Sequence, residues 1–252
     1  VNIVKKSVSK EKSVDQAKKI ASVKAKEYAD DSIKRCESIG NHGEKLIKDN
    51  FRLLTHCNAG WLACVDWGTA TAPMYKASRN KKYIFVFADE TRPRAQGSRL
   101  TAWELKHECI DHAVIADNAA GFNMSKNDIN MVIVDADRIA SNVDAANKIG
   151  TLEKAIVAKE YGIPFYVAAP LTTFDASIAG KDIPIEERSE DEVLQQTGMT
   201  KDGRLETIFV ANPSSIARNP AFDVTPAKFI KGLITEKGII KPSRTAIRRL
   251  LK

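Results

Sequence analysis

The stretch MVIVDADR (131–138) places four consecutive apolar residues directly before an acidic, polar segment. Other short apolar runs occur at 51–55, 83–88, 113–116 and 165–169, with a weaker one at 208–210. Helical patterns separate these runs, at 69–79, 98–109, 119–125 and 147–161. Strands that alternate with helices predict a parallel sheet with crossover helices, and wholly apolar strands indicate burial on both faces of that sheet. The sequence therefore predicts an α/β fold with a Rossmann-like parallel sheet.

The first fifty residues have a different pattern. Residues 14–37 carry apolar side chains at helical spacing, which predicts one long amphipathic helix. A short second helix is expected over 42–48, after Gly40. We therefore expect two parts: a helical segment over 1–50 and a Rossmann-like domain over 51–252.

Composition limits the classes of protein that this chain can represent. The 252 residues are 43% hydrophobic and 28% charged, which is typical of a folded protein and excludes wholesale disorder. Since no apolar run approaches the roughly 18 residues of a membrane span and no signal peptide is visible, we expect a cytoplasmic protein without membrane contact. The four cysteines show no disulfide or zinc spacing, which favours free thiols.

Basic charge is concentrated at the two ends of the chain. Residues 1–48 carry a net charge of +5 and residues 228–252 one of +7, whereas residues 49–227 carry −5. A nucleic-acid-binding protein usually concentrates basic charge on its folded face, so no nucleic-acid partner is expected. The chain also contains no GxGxxG after its first strand, no Walker lysine loop and no GxSxG elbow, which disfavours dinucleotide binding and triad hydrolysis.

Polar residues follow most of the predicted strands. They include HCN (56–58), DETR (89–92), DN (117–118) and DADR (135–138). Ligands of open α/β sheets bind outside the carboxyl ends of the strands, so these segments predict a polar crevice along one sheet edge. Simpler explanations remain open, since a free cysteine is most often a small buried apolar residue and Asp137 could cap a helix or pair with Arg138. A second carboxyl at Asp135 would raise one of the two carboxyl pKa values.

Seven ordered segments carry a resemblance to a known family. They are HCNAG (56–60), FADETRPRAQGSRLTAWEL (87–105), DNAAG (117–121), DADRIASNVDAANKIGT (135–151), AKEYGIPFYVAAPLTTFD (158–175), IPIEER (183–188) and NPAFDVTPAKFI (219–230). Together they resemble the methylthioribose-1-phosphate isomerases, whose fold family includes the regulatory subunits of translation initiation factor 2B and the ribose-1,5-bisphosphate isomerases.

The resemblance implies an activity and a set of site residues. The activity is the aldose–ketose isomerisation of 5-methylthioribose 1-phosphate to 5-methylthioribulose 1-phosphate in methionine salvage, by a homodimer built through the sheet domain. It implies Cys57 and Asp137 as catalytic residues. It implies Gln96, Asn147 and Lys148 as substrate-binding residues, and neither a cofactor nor a metal. A non-catalytic regulatory subunit, or an isomerase of a related pentose phosphate, remains the alternative.

The chain departs from the family pattern in three ways. Asp135 and Val143 each replace a glycine of that pattern. Most of the family's N-terminal domain, which carries arginines that resemble a phosphate grip, has no counterpart here. The segment 1–50 would then be the end of that domain with its linker helix, and the chain a fragment, a processed chain or one half of a two-chain enzyme.

Overall fold

A computed structural model describes residues 2–9, 11 and 13–250. Seven strands form the main sheet, in the order β13-β12-β7-β4-β1-β2-β3. Their bounds are β1 (Phe51–Thr55), β2 (Ile84–Asp89), β3 (Asp111–Ile115), β4 (Met131–Val134), β7 (Phe165–Ala168), β12 (Gly232–Thr235) and β13 (Gly238–Ile240). All neighbouring strands are parallel except the β12–β13 pair. The predicted α/β fold with a Rossmann-like parallel sheet is thus confirmed.

The described residues form the α-helices α1 (Asn2–Val8), α2 (Val14–Gly43), α3 (Trp61–Cys64), α4 (Ala72–Arg79), α5 (Ala102–His107), α6 (Ala120–Ser125), α7 (Thr151–Glu160), α8 (Asp191–Leu194) and α9 (Arg244–Leu250). Helices pack on both faces of the main sheet, but α1 contacts α2 and α8 contacts residues 195–199. Successive strand residues point to opposite faces, so Leu53 packs in one core with α2, α4 and α5. Leu54 packs in a second core with α6, α7 and α9. The apolar runs at 51–55, 83–88, 131–134 and 165–169 therefore each contribute to both cores.

Two smaller sheets lie outside the main one. Four short strands, in the order β11-β6-β5-β8, comprise β5 (Arg138–Ala140), β6 (Ala145–Lys148), β8 (Phe174–Asp175) and β11 (Phe222–Thr225). An antiparallel hairpin joins β9 (Gln195–Met199) to β10 (Leu205–Phe209). None of the helices in the described part of the chain combines the length and apolar composition that crossing a bilayer requires.

The sixth parallel strand was wrongly predicted. Residues 205–209 form the exposed hairpin strand β10, whereas the sixth parallel strand is β12, whose four residues are all buried. The helix expected over 147–161 begins only at Thr151, because residues 145–148 pair with β11 as strand β6. Both differences depend on pairing between distant segments, which local residue patterns do not report.

The long N-terminal helix also differs from its prediction. It continues through Gly40 to Gly43, and a short 3₁₀ turn at Glu44–Leu46 replaces the second helix. Its last turns pack so closely on α4 that a Cβ atom at Gly40 would lie 3.0 Å from the carbonyl oxygen of Ala72. Gly40 therefore allows a close helix contact and does not end the helix. The boundary placed at residue 50 stays a prediction, and the terminal residues 251–252 of the expected second part lie outside the described residues.

Gly43→Ala should destabilise the protein, because a Cβ atom there would lie 2.5 Å from Cγ of Pro73 on α4. We expect the free energy of unfolding to fall by about 1 to 3 kcal/mol, as is usual for overpacking, measured by urea denaturation. Gly121→Ala is the matched control, since its nearest neighbour would be Val157 at an ordinary 3.6 Å. A loss of similar size in both variants would contradict this explanation.

Candidate active site

Strands β1 and β4 lie side by side at the centre of the main sheet, where the strand order changes direction. The chain leaves β1 toward β2 on one side, and it leaves β4 toward β7 on the other. Such a switch point opens a crevice at the carboxyl ends of the two strands. Cys57 follows β1, and Asp135 and Asp137 follow β4. The chain therefore brings a thiol and two carboxyls to the position where α/β proteins bind their ligands.

A cavity of about 310 Å³ occupies this position. It is lined by Cys57, Asn58, Leu62, Ala63, Arg94, Gln96, Leu100, Asp135, Asp137, Asn147, Lys148, Arg188 and Phe222. Its volume lies at the lower end of small-molecule sites, which begin at roughly 300 Å³. All five residues proposed from the sequence line this one cavity, although their roles stay predictions.

Cys57 is held in an unusual conformation. Its φ angle is 68°, in the left-handed region that non-glycine residues rarely adopt. The backbone is fixed there from both sides: the amide of Cys57 donates to Thr91 Oγ1 at 2.9 Å, and its carbonyl accepts from Thr101 Oγ1 at 2.6 Å. Burial raises the pKa of the Cys57 thiol to about 11, and the carboxylates of Asp135 and Asp137 add to the effect of burial. The side chain is therefore a protonated thiol at neutral pH.

The two carboxyls of the cavity lie in different environments. Burial, opposed by a hydrogen bond from the Ala136 amide and supported by the neighbouring charge of Asp137, raises the pKa of Asp135 to about 7. Burial also raises the pKa of Asp137, but Lys148 and Arg188 oppose that effect. Arg138 does not compete for Asp137, because it pairs with Asp175 at 3.6 Å. Burial thus raises the pKa of both carboxyls, and at Asp137 two cations oppose that rise.

Three cations face the same cavity. Lys148 is buried on β6, donates to the carbonyl of Ala221 at 3.0 Å, and lies 4.4 Å from the centre of the Phe222 ring. Arg188 lies 5.7 Å from the same ring and pairs with Glu186 at 3.0 Å. Arg94 is exposed at the cavity wall. A region with this charge can bind an anionic group such as a phosphate.

The start of α7, which follows Lys148, does not offer two of its backbone amides to an anion. A helix N-terminus commonly binds a phosphate through its free backbone amides. In the structure, the amides of Gly150 and Leu152 donate to the carboxylate of Asp223, at 2.7 and 3.0 Å. Because Asp223 caps α7 in this way, those two amides are not available to a ligand.

The two amide side chains differ in how they are held. Asn147 is buried and donates to Thr151 Oγ1 at 3.1 Å. Gln96 has a buried Oε1 atom without a hydrogen-bond partner among the described residues. An unpaired buried acceptor is costly, so Gln96 is suited to accept a hydrogen bond from a ligand hydroxyl.

Glu104 supports the loop that carries Cys57. This fully buried carboxyl accepts hydrogen bonds from Asn58 Nδ2, the Trp61 amide and the Tyr75 hydroxyl, each at 2.8 Å. The Leu62 amide adds a fourth, at 3.3 Å. Glu104 therefore holds the start of α3 and the residue beside Cys57 in one position.

A buried network of charged residues lies beneath the cavity. Nδ1 of His56 contacts Asp89 at 2.8 Å, and its Nε2 contacts the carbonyl of Ile149 at 2.8 Å. Lys154 lies 3.5 Å from the same Asp89 oxygen. Among the described residues, His56, Asp89 and Asp117 form the one group spaced to hold a metal ion. Asp117 is occupied by the amides of Thr91 and Arg92, and His56 by its two partners, so this group fits an internal network better than a metal site.

Several lining residues were not identified from the sequence. Arg188 lies at the end of the IPIEER segment, and Phe222 lies in NPAFDVTP, but neither segment indicates which side chain faces the crevice. Of the three arginines near Gln96, only Arg94 lines the cavity, because Arg92 bonds the carbonyl of Val193 and Arg99 lines a neighbouring groove.

Val143, at a family glycine position, has a φ angle of 74°, which explains why glycine suits that position.

The sequence of the chain is similar to those of known proteins. The family model described as the initiation factor 2 subunit family matches residues 1–242. The chain is 50% identical over 230 residues to the methylthioribose-1-phosphate isomerase of Methylocella silvestris, covering 87% of this chain and 63% of that protein. It is 45% identical to the same enzyme of Gluconobacter oxydans, covering 98% of this chain and 71% of that protein. The chain thus spans about two thirds of the length of these curated relatives.

Solved structures of similar proteins carry two different names. The crystal structure of 5-methylthioribose 1-phosphate isomerase from Pyrococcus horikoshii OT3 matches with a TM-score of 0.87 and 39% identity, over 99% of this chain and 68% of that one. The structure of translation initiation factor eIF-2B, subunit delta, from A. fulgidus matches with a TM-score of 0.86 and 40% identity, over 98% and 70%. The family resemblance found in the sequence is confirmed by these matches.

Glu104→Ala should destabilise the protein by at least about 3 kcal/mol, because it leaves several buried donors without an acceptor. Denaturant unfolding measures this loss. Glu108→Ala provides the control, since Glu108 lies at the end of the same helix and pairs with Arg79 at the surface. There we expect a loss of at most about 1 kcal/mol. Equal losses in the two variants would show that Glu104 does not hold the loop.

Proposed function

The chain belongs to the initiation factor 2 subunit family, and on that basis we propose that its protein is a methylthioribose-1-phosphate isomerase. The reaction converts 5-methylthioribose 1-phosphate to 5-methylthioribulose 1-phosphate, a step of methionine salvage. The observation that carries this proposal is the single cavity that joins the thiol of Cys57 to Asp137, beside Lys148, Arg94 and Arg188. A regulatory subunit has no need of a half-buried thiol and paired carboxyls beside cations at a switch point.

The chemistry requires two proton-handling groups. Phosphate blocks C1 of the substrate, so the ring opens only when the bond between C1 and the ring oxygen breaks and that oxygen gains a proton. The hydrogen on C2 then moves to C1, and the C2 hydroxyl loses its proton to become the ketone. The ring oxygen gains one proton and the C2 hydroxyl loses one, so the atoms and electrons of the reaction balance without a cofactor. An acid near the ring and a base near the C2 hydroxyl are sufficient.

The two groups suit these roles by their protonation. The Cys57 thiol is protonated at neutral pH, so we assign it the proton delivered to the sugar ring. Asp137 faces Lys148 and Arg188, which favour its charged form, so we assign it the proton of the C2 hydroxyl. Lys148, Arg94 and Arg188 supply positive charge for the phosphate, and Gln96 and Asn147 are assigned to the sugar hydroxyls.

We also propose that the working protein is a cytoplasmic homodimer. The β9–β10 hairpin supports the second copy, because it exposes four apolar side chains that a partner could cover. Met199 and Leu205 are each 74% exposed, Ile208 is 58% exposed and Phe209 is 53% exposed. Four free cysteines suit a reducing compartment such as the cytoplasm.

One alternative, a regulatory subunit, has a specific observation in its favour. The TM-score of the chain with the A. fulgidus protein nearly equals its TM-score with the isomerase from Pyrococcus horikoshii. Isomerases of ribose 1,5-bisphosphate or 5-deoxyribose 1-phosphate would use the same two proton-handling groups. The substituent at C5 distinguishes these substrates.

Turnover of methylthioribose 1-phosphate by the complete protein, including residues upstream of Val1, tests the proposal. We expect the intact protein to turn over this substrate faster than the two analogues. Cys57→Ser and Asp137→Asn should each lower kcat by at least about 100-fold, because each removes one proton-handling group. Asp128→Asn, which alters only a surface pair with Arg52, is the control.

Three results of that assay would contradict the proposal. A folded complete protein without activity on any of the three sugar phosphates would favour the regulatory subunit. Preference for an analogue would change the substrate assignment. Full activity of a folded Cys57→Ser or Asp137→Asn variant would remove that residue from the mechanism.

The homodimer is tested by sedimentation of the complete protein. Two single variants, Ile208→Glu and Phe209→Glu, each introduce a charge into the exposed hairpin. Each should weaken dimerisation by about 30-fold, since a central apolar contact contributes about 2 kcal/mol. Phe122→Glu is the matched control, because Phe122 is also exposed (63%) but lies on α6. A monomeric parent protein, or an unchanged dimer in both hairpin variants, would contradict this assignment.

A further inference from the structure

One hydrogen bond joins the chain neighbours of Cys57 and Lys148. His56 directly precedes Cys57, and Ile149, which lies 93 residues after His56, directly follows Lys148. Nε2 of His56 lies 2.8 Å from the carbonyl oxygen of Ile149. A carbonyl oxygen can only accept, so Nε2 carries a hydrogen and donates it to this contact. The two segments that bring the thiol and the lysine to the cavity are therefore bonded directly to each other.

The His56 ring is held in one orientation. Its side chain is 1% exposed, and its Nδ1 lies 2.8 Å from Oδ2 of Asp89, which is fully buried at the end of β2. Nζ of Lys154, on α7, lies 3.5 Å from the same oxygen. Because both ring nitrogens have partners, the ring cannot turn without losing a buried hydrogen bond. His56 thus links the end of β1 to the end of β2 and to the turn that precedes α7.

Gly150 allows this turn to approach the ring closely. Its φ angle of 100° lies in the left-handed region, and a Cβ atom there would lie 3.2 Å from both Cε1 and Nε2 of His56. Asp223 holds the turn as well, because its carboxylate accepts from the Gly150 amide at 2.7 Å. Lys148 has an anchor of its own, through the pairing of β6 with β11 and the bond of its ammonium to the Ala221 carbonyl. The turn is therefore fixed by His56 and Asp223, whereas the ammonium is held separately.

The spacing between Cys57 and Lys148 matters for the proposed reaction. The phosphate of the substrate is attached to C1, the same carbon whose bond to the ring oxygen breaks. The group that binds the phosphate and the group that delivers a proton to that oxygen therefore act within a few bonds of each other. Thr91 and Thr101 tie the Cys57 loop to the segment after β2, whereas His56 ties it to the turn after β6. A misplacement of about 1 Å between such groups can lower a rate by about 100-fold.

We propose that His56 is a positioning residue, which holds the loop of Cys57 and the turn after Lys148 at the spacing that isomerisation requires. This role rests on the proposed function, because it matters only if both residues act on one substrate. The contact between His56 and Ile149 is a property of the fold and does not depend on the reaction. His56 acts through its neighbours, since its two ring nitrogens are occupied by Ile149 and Asp89 beneath the cavity.

The test compares two substitutions of His56 in the complete protein. His56→Gln carries an amide donor out to the position of Nε2, so it can keep the bond to Ile149. His56→Asn carries the donor only to the position of Nδ1, so it keeps a donor for Asp89 but loses the bond to Ile149. His112→Asn is the matched control, because His112 lies on the edge strand β3, where its Nδ1 contacts the carbonyl of Ile110 at 2.8 Å.

We expect His56→Asn to lower kcat by about 100-fold while KM stays within about threefold, because Lys148 keeps its own anchor and only its spacing to Cys57 changes. His56→Gln should keep kcat within about tenfold of the parent protein, and His112→Asn should leave kcat unchanged. Circular dichroism establishes that each variant is folded. Equal losses of kcat in the two His56 variants, or a KM that rises as kcat falls, would overturn the proposal, because they would indicate general damage to the cavity.

The unmodified protein gives a second readout if the His56 variants fail to fold. ¹⁵N NMR of the imidazole distinguishes a nitrogen that carries a hydrogen from one that does not. Nε2 of His56 should carry its hydrogen at neutral pH, and an Nε2 without hydrogen would overturn the proposal, since it could not donate to Ile149. A parent protein without isomerase activity would end both the proposed function and this role, whereas an active parent whose folded His56→Asn variant keeps its kcat would end only this role.

Discussion

The arrangement of the site depends on one constraint, the opposite directions in which the chain leaves β1 and β4. A crossover between parallel strands is right-handed, so a connection to the left and one to the right of the same sheet must use opposite faces. The connection from β1 to β2 contributes α4 to the first core, and that from β4 to β7 contributes α7 to the second. The two loops therefore separate at the carboxyl ends of their strands, and the cavity lies between them.

Burial of charge at this opening is the main energetic cost of the site. The protein offsets that cost where a carboxyl must be fixed, as at Glu104, whose two oxygens receive four hydrogen bonds. His56 and Lys154 likewise share the buried Asp89. Within the cavity burial is offset less fully, because it raises the pKa of both Asp135 and the Cys57 thiol. Incomplete compensation changes protonation, and groups with altered protonation are the ones that can exchange protons with a ligand.

The strained backbone at Cys57 is held by contacts with the neighbouring segment after β2. Cys57 has a φ angle of 68° and is fixed by Thr91 and Thr101, which belong to the segment after β2. The loop after β1 is thus held by its neighbour in the sheet. A strained residue persists only where its surroundings determine its position, and here two hydroxyls and the Glu104 carboxyl do so. The family resemblance implied a catalytic role for Cys57, a role that stays a prediction, whereas the contacts that hold this residue were visible only in the structure.

Sequence alone was sufficient for the class of fold and for the place of the site. Continuous apolar runs such as MVIV indicate strands buried on both faces, and polar residues after them mark the edge where ligands bind. These inferences rest on local patterns of side chains. Tertiary structure alone decided that β12 and not residues 205–209 is the sixth parallel strand, and that Gly40 allows close packing and does not end a helix. It also decided that Arg188 and not Arg92 lines the cavity, and that Lys148 and Arg188 oppose the rise in the pKa of Asp137 that burial causes. Those outcomes depend on contacts between segments far apart in the chain, and the charge state of a buried group depends on all of its neighbours at once.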